Sequence, residues 1–456
     1  LSCQHVLYPI PHEMISEGED SMAYIPPVIV LPGITGTNLR DEYQTPPDVV
    51  WSVLRHDYAR VALHPDNLLY EALEPARVQA DSVFDVAYKE IIQELRYNLR
   101  QKEDKPVPVF PFGYDWRQPL DVIEAHFAVF VDEVIERTKL LRHYAEAGYA
   151  DDPKVNLVGH SMGGLIIAGY LERKGKSAPV TKVATLATPF RGSFEAVIKI
   201  ATGTANLGTD EPTSREREAA RLTPSLYHLL PEIEGGLEID DPKLPRSLFD
   251  SGLWQRGVID SIVEFVRLQA VLKTDRQQQA QTLFASLLQA AQTHRNRIEN
   301  FQLSKAGLRP EDWLCVAGVD SVTRVRLKIT KSSRGPMFDL GSNYRQNLWR
   351  KDPRNQTDWR LTGDGTVPFE AARPTFLGPE NMVCVTPEDY GYWEVQDKVT
   401  AAVAGFHAIM PNMDMLHRII VRHFTGRPDY GGNTWGRPAP GVSNEQWRPP
   451  VTLRIK

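Results

Sequence analysis

The chain has 456 residues, 42% hydrophobic and 24% charged, with a formal net charge of −6. Those fractions exclude a disordered, collagenous or repeat-built chain, and the length suffices to bury a large core without disulfides or metals. The slightly acidic balance argues against nucleic acid as a partner, which needs a basic surface, and no apolar run reaches the about 18 residues of a membrane-spanning helix.

Taken in order, short β-branched runs alternate with amphipathic stretches, the pattern of a parallel sheet covered by helices. Pro27 to Leu31 reads as the first strand. Val83 to Arg100 reads as a helix, with Val83, Val86, Ala87, Ile91 and Leu95 at helical spacing. Pro106 to Phe112 is the next strand, and Val122 to Tyr144 one long helix with Ile123, Phe127, Phe130, Val131, Val134 and Ile135 on one side. Val155 to Val158 is a strand, Met162 to Arg173 a helix directly behind it, and Val180 to Ala187 another strand.

From about Val197 to Leu308 the rhythm stops, and a polar helical pair fills Ile259 to Asn300. Strands return at Trp313 to Ala317 and Met382 to Val385, and a last helix spans Met413 to Phe424. The expected division is a core over 24–196 with a lid-like segment near 40–80, a largely helical inserted cap over 197–310, a second core part over 311–430, and a tail over 431–456. Cys315 and Cys384 fall in buried strands and read as core thiols; with Cys3 they are too few and too scattered for a disulfide framework or zinc site. The chain opens on Leu1 rather than methionine, as expected if the natural start lies elsewhere. The compartment stays open and leans to the cytoplasm.

Gly159-His160-Ser161-Met162-Gly163 matches G-x-S-x-G between a strand and a helix. That turn forces the serine into strained backbone angles, and only small neighbours fit there. Ser161 is therefore the expected nucleophile. A serine hydroxyl needs a base, and the base an orienting carboxylate, in the chain order Ser, Asp or Glu, His. Asp364, in Thr362-Gly363-Asp364-Gly365-Thr366, and His407, in the loop Gly405-Phe406-His407, fill that order. Asp389 and Glu388 are the alternative acids. Among other histidines, His417 and His423 lie inside the last helix, where they would face solvent or packing. His160 is expected to point away from the nucleophile, and His228 and His294 fall in the cap. One oxyanion N–H is expected from Met162 and the other from Ile34, in a loop where Gly33 permits close approach of substrate. No cofactor is expected: there is no Walker A run, strand-placed G-x-G-x-x-G or H-E-x-x-H.

In order along the chain, several motifs resemble the lecithin:cholesterol acyltransferase family, which includes lysosomal phospholipase A2 and the phospholipid:diacylglycerol acyltransferases. They are Val28 to Leu39, Pro47 to Trp51, Gly113-Tyr114-Asp115-Trp116-Arg117, the Ser161 elbow, Ala187 to Ser193, Thr223 to Pro231, Asp364 and His407. The resemblance implies an α/β-hydrolase fold, a mostly parallel sheet flanked by helices with a cap over the site. It also implies acyl transfer from lipid esters through an acyl-serine. It supports Ser161, Asp364 and His407, with Gly33-Ile34 and Met162 at the oxyanion. It places Trp51 where animal members carry a lipid-facing lid, and gives Asp115 and Arg117 a structural ion pair. The lid disulfide of animal members has no counterpart, since no cysteine lies between Cys3 and Cys315. The expected partners are a lipid or acyl-ester substrate, an acceptor alcohol, and peripheral membrane contact through apolar cap residues. An esterase or thioesterase acting on a small soluble substrate, and a non-catalytic interaction protein on the same fold, remain the alternatives.

Overall fold

The structure is a computed structural model that describes residues 24–52, 55–204, 212–341, 345–346 and 362–456; Cys3 lies outside them. In the first part β1 (Val28–Leu31) leads to β2 (Thr37–Asp41), β3 (Asp48–Trp51), the short α1 (Tyr58–Val61) and β4 (Val78–Val83). Then come α2 (Asp85–Leu99), β5 (Val109–Pro111), α3 (Leu120–Lys139), α4 (Arg142–Glu146), β6 (Val155–His160), α5 (Met162–Lys174), β7 (Val180–Leu186) and α6 (Phe194–Thr202). The middle holds α7 (Ser214–Leu222), α8 (Pro224–His228), β8 (Leu237–Ile239), α9 (Arg256–Gln269) and α10 (Arg276–Glu299). The last part has β9 (Trp313–Gly318), β10 (Thr323–Arg324), β11 (Leu327–Ser332), β12 (Gly335–Asp339) and β13 (Arg345–Gln346). It closes with α11 (Phe369–Ala372), β14 (Met382–Val385), α12 (Val395–Ala404), α13 (Phe406–Ile409), α14 (Asp414–Thr425), β15 (Trp435–Gly436) and β16 (Arg454–Ile455).

Six strands form one parallel sheet in the order β14-β9-β7-β6-β1-β5. Parallel strands are buried on both faces and read as continuous apolar runs; β6, β9 and β14 are buried at every position. One face packs on α3 and α5 through Phe127, Val131, Leu165 and Ile166. The other packs on α2 and α14 through Ile91, Leu95, Ile419 and Ile420. The chain runs from β1 outward to β5 and then back across to β6, so the strand order reverses between β1 and β6. Ligand sites in open α/β sheets lie beyond the strand ends at such a reversal. This is an α/β-hydrolase fold.

Two elements differ from the sequence reading. The strand at 106–112 is only β5, because Pro106, Pro108 and Pro111 have no N–H to give a ladder. The long helix ends at Lys139, since Leu141 takes an extended ψ of 123° and α4 starts afresh. That break turns Tyr144 inward, where its hydroxyl donates to Ile25 O at 2.6 Å. The region between β7 and β9 holds a strand as well as its helices, and its apolar cluster takes in side chains beyond 310. β11 pairs with β8 and β12, and Leu327, Ile329 and Phe338 share one apolar cluster with Tyr227, Trp254, Val258, Ile262 and Phe284.

The tail covers an exposed flank of the sheet. Cys384 of β14 exchanges backbone hydrogen bonds with Arg437, at 2.9 and 3.1 Å, and Trp447 Nε1 donates to Met382 O at 2.7 Å. Among the described residues no helix is long and apolar enough to cross a membrane.

Candidate active site

Ser161 follows β6 and precedes the first residue of α5, so the chain must turn from strand to helix within one residue. It does so at φ 51°, ψ −125°, in the left-handed half of the map that side chains other than glycine avoid. Such a conformation costs roughly 1–3 kcal/mol and persists only where its surroundings enforce it. Here the Ser161 N–H donates to Leu186 O at 2.9 Å and Gly164 N–H donates to Ser161 O at 3.1 Å. The flanking glycines have no room for side chains. A Cβ on Gly163 would lie 2.5 Å from Leu31 O, and one on Gly159 would lie 2.8 Å from Gly164 N.

Asp364 sits beyond the end of β9, where the bare backbone of Gly318 leaves space for it. It is 1% exposed, and its Oδ1 accepts the N–H groups of Thr366 and Val367 at 2.9 and 2.7 Å. Its Oδ2 lies 2.6 Å from His407 Nδ1, and His407 Nε2 lies 2.9 Å from Ser161 Oγ. A carboxylate only accepts, so Nδ1 carries the imidazole proton and Nε2 is left to accept from the serine. Gly405, at φ 94°, ends α12 and sets the backbone that presents His407. Among the described residues no cluster of His, Cys, Asp and Glu could hold a metal ion.

Met162 is the first residue of α5 and is fully buried; a helix leaves the N–H of its first residue without an internal acceptor. Ile34 lies in the turn after β1, packed against both the sheet core and the cap cluster. Its neighbour Gly33 abuts Ser161: a Cβ there would fall 2.9 Å from Ser161 Cβ. The structure thus brings Ser161, Asp364, His407, Met162 and the Gly33-Ile34 turn to one place.

The model of the lecithin:cholesterol acyltransferase family matches residues 72–246. Over that span, somewhat under half of its length, the chain is similar to that family. The matched span holds α2, α3, β6, the elbow and α5, and ends before Asp364 and His407. The structure titled the Tle4-Tli4 complex superposes with a TM-score of 0.52 at 16% identity, covering 76% of this chain and 88% of that one, a likeness of fold. A gene lin2722 product from Listeria innocua matches at 14% identity and a TM-score of 0.18, over 47% of this chain and 69% of that one. No curated protein sequence matches the chain.

The acyltransferase-like motifs divide into those at the site and those that brace it. Arg117 is 1% exposed and pairs with Asp115 at 2.8 Å and Asp66 at 3.0 Å, a structural tie between the motif and the 40–80 segment. Trp51 is not a lipid-facing lid residue. It is 5% exposed, on the inner side of the antiparallel sheet β3-β2-β4, its ring centroid 5.0 Å from that of Trp116 and 4.6 Å from that of His56. The Trp116 indole itself is anchored to Thr37 O, so both aromatics complete a core. Among the described residues of that region Leu68, Leu69 and Leu73 are exposed apolar side chains, beside Leu272 across the Tyr70–Ala270 bridge.

Asp389, a rival acid, is held by Arg437, Lys456 and Trp435 and serves the tail. His417 and His423 are buried rather than solvent-facing; their Nε2 atoms lie 2.6 Å from Pro411 O and 3.1 Å from Val183 O. Burial and the nearby Lys182 push His423 down to about 3. The ring of His160 lies beside that of His407, with centroids 5.1 Å apart, and its two nitrogens face Tyr88 Oη and His407 O. Two other groups escape a reading of the sequence, Tyr88 on α2 and the buried Glu124 on α3. Neither belongs to a local motif, and only the folded chain brings them to their partners.

Proposed function

We propose that the chain is a serine-dependent acyl-ester hydrolase or O-acyltransferase acting on lipid esters. The likeness to the lecithin:cholesterol acyltransferase family over 72–246 supports a lipid-ester hydrolase or acyltransferase in general terms, and the continuous Asp364–His407–Ser161 hydrogen-bond chain carries the finer reading. In this reading His407 Nε2 takes the proton of Ser161 Oγ as that oxygen bonds to the ester carbonyl carbon. The N–H groups of Ile34 and Met162, with the positive end of α5, stabilise the tetrahedral oxyanion. His407 returns the proton to the departing alkoxide, leaving an acyl-serine. Water or an acceptor alcohol, deprotonated in turn by His407, then attacks the acyl carbonyl; the bond to Ser161 Oγ breaks, and His407 returns the proton to that oxygen as the acid or new ester leaves. Asp364 holds the imidazole tautomer throughout. Peripheral contact with a lipid surface belongs to the same proposal, and Leu68, Leu69, Leu73 and Leu272 offer exposed apolar area for it.

A fluorophosphonate probe, followed by mass spectrometry of products from mixed phospholipids and neutral lipids with and without added alcohols, tests this. Labelling at Ser161, lost in Ser161→Ala, together with released fatty acid or a new ester, is the expected result. Absence of labelling and of turnover would refute it. Turnover of short soluble esters alone would transfer the site to a soluble esterase or thioesterase.

A further inference from the structure

The residue between Gly159 and Ser161 in the elbow, and a tyrosine on α2, join the two loops that flank the nucleophile. His160 Nε2 lies 2.9 Å from the backbone oxygen of His407. A carbonyl only accepts, so Nε2 carries the proton and Nδ1 is an acceptor. The partner of Nδ1 is Tyr88 Oη at 2.7 Å, which must donate. The tyrosine oxygen in turn accepts the N–H of Gly33 at 2.8 Å. Hydrogen-bond direction is therefore settled along the whole path, from Gly33 N–H to Tyr88, from Tyr88 to His160, and from His160 to His407 O.

We propose that Tyr88 and His160 are positioning residues that lock the oxyanion turn to the backbone of the catalytic histidine. The proposal rests on the serine-hydrolase reading above. With the Gly33 N–H committed to Tyr88, the next N–H, that of Ile34, is left for the oxyanion. The His407 backbone is held on both sides, its N–H by Asp364 O at 3.2 Å and its C=O by His160. Tyr88 is 3% and His160 4% exposed, so water does not easily replace either partner. The relay needs a neutral His160, since a proton on Nδ1 would leave it nothing to accept from Tyr88. Burial, with His407 beside it, holds the His160 pKa well below its ordinary value. A neutral ring also leaves the imidazolium that forms on His407 unopposed.

The test compares Tyr88→Phe, His160→Gln and the double variant, with kcat and KM measured on one ester substrate and normalised to the fraction titrated by a fluorophosphonate. Displacement of oxyanion or base geometry by fractions of an ångström costs on the order of tenfold to a hundredfold. The expected result is a kcat lowered by about that factor in each single variant, KM within about twofold, and fluorophosphonate labelling slowed in parallel. The double variant is expected to be no slower than the worse single one, because the relay acts as a unit. Tyr88→Phe removes one hydroxyl and keeps the ring, so its kcat alone decides if His160→Gln does not fold. A lowered melting temperature with unchanged normalised kcat, or effects that multiply in the double variant, would overturn the relay while leaving Ser161 labelled. A wild-type chain that the probe does not label overturns the serine-hydrolase reading and the relay with it.

Discussion

Replacing Glu124 by glutamine removes a charge where cap helix α10 is tied to core helices α3 and α5. The carboxylate is wholly buried, with His294 Nε2 at 2.6 Å, Arg297 at 2.9 Å and Arg173 at 2.8 Å. It occupies the space left by Gly169, where a Cβ would overlap it. Breaking a buried ion pair costs about 3–5 kcal/mol. Two of the cations are partly exposed, Arg173 at 43% and Arg297 at 22%, and can be rehydrated, while glutamine keeps part of the hydrogen bonding. The expected loss is therefore about 2–3 kcal/mol. At roughly 2 °C per kcal/mol for a chain of this size, the melting temperature should fall by about 4–6 °C.

Scanning calorimetry at one scan rate and pH 7 reads this directly, and acidification adds a sign. Burial alone would raise the Glu124 pKa, but the hydrogen bond from His294 and the charges of His294 and Arg297 outweigh it and leave the carboxyl below its ordinary value. A depressed carboxyl stabilises fully above its unfolded pKa of about 4.3 and loses that contribution as pH falls through the folded one. The gap between wild type and Glu124→Gln should therefore be complete at pH 7 and close below about pH 4. A gap under about 1 °C at pH 7, or one that widens on acidification, would refute the clamp.

Three further outcomes are expected. Asp364→Asn should lower kcat by about 10⁴ without unfolding the chain, because the amide presents the wrong partner to His407 Nδ1; ester turnover and a circular-dichroism spectrum check both halves. Gly163→Ala should destabilise by about 1–3 kcal/mol and abolish fluorophosphonate labelling, since its methyl would be forced against Leu31 O. Cys315 and Cys384 should react with a thiol reagent only after denaturation: both are buried and unpaired by disulfide, Cys315 is pushed up to about 12 by that burial and Cys384 higher still.

The legibility of this chain follows the range of the forces involved. Val155 to Lys174 was readable because burial on both faces of β6, the glycines of the turn and the helix behind it are all local requirements. Asp364 and His407 were readable through chain order, which the α/β-hydrolase connectivity imposes. Trp51 was misjudged because an aromatic beside polar turns looks the same whether it faces lipid or another tryptophan, and only the β2–β3 register decides. The partners of His160 are not legible, because they are Tyr88 and the carbonyl of His407, which lies 247 positions further on. The pairing of β8 with β11 is not legible either, because strands far apart in sequence leave no local pattern.

The contact between Arg437 and Cys384 bears on how shortened versions of this protein would behave. β14 is the last strand of the sheet on its side, and unpaired N–H and C=O groups on such a strand are a template for another chain. A fragment cut at the compositional boundary near 430 would keep Ser161, Asp364 and His407 yet uncover that template. It would also leave the Asp389 carboxylate without Arg437 and Lys456. Such a fragment is expected to self-associate through β14, so a loss of turnover in it would report on stickiness rather than on chemistry.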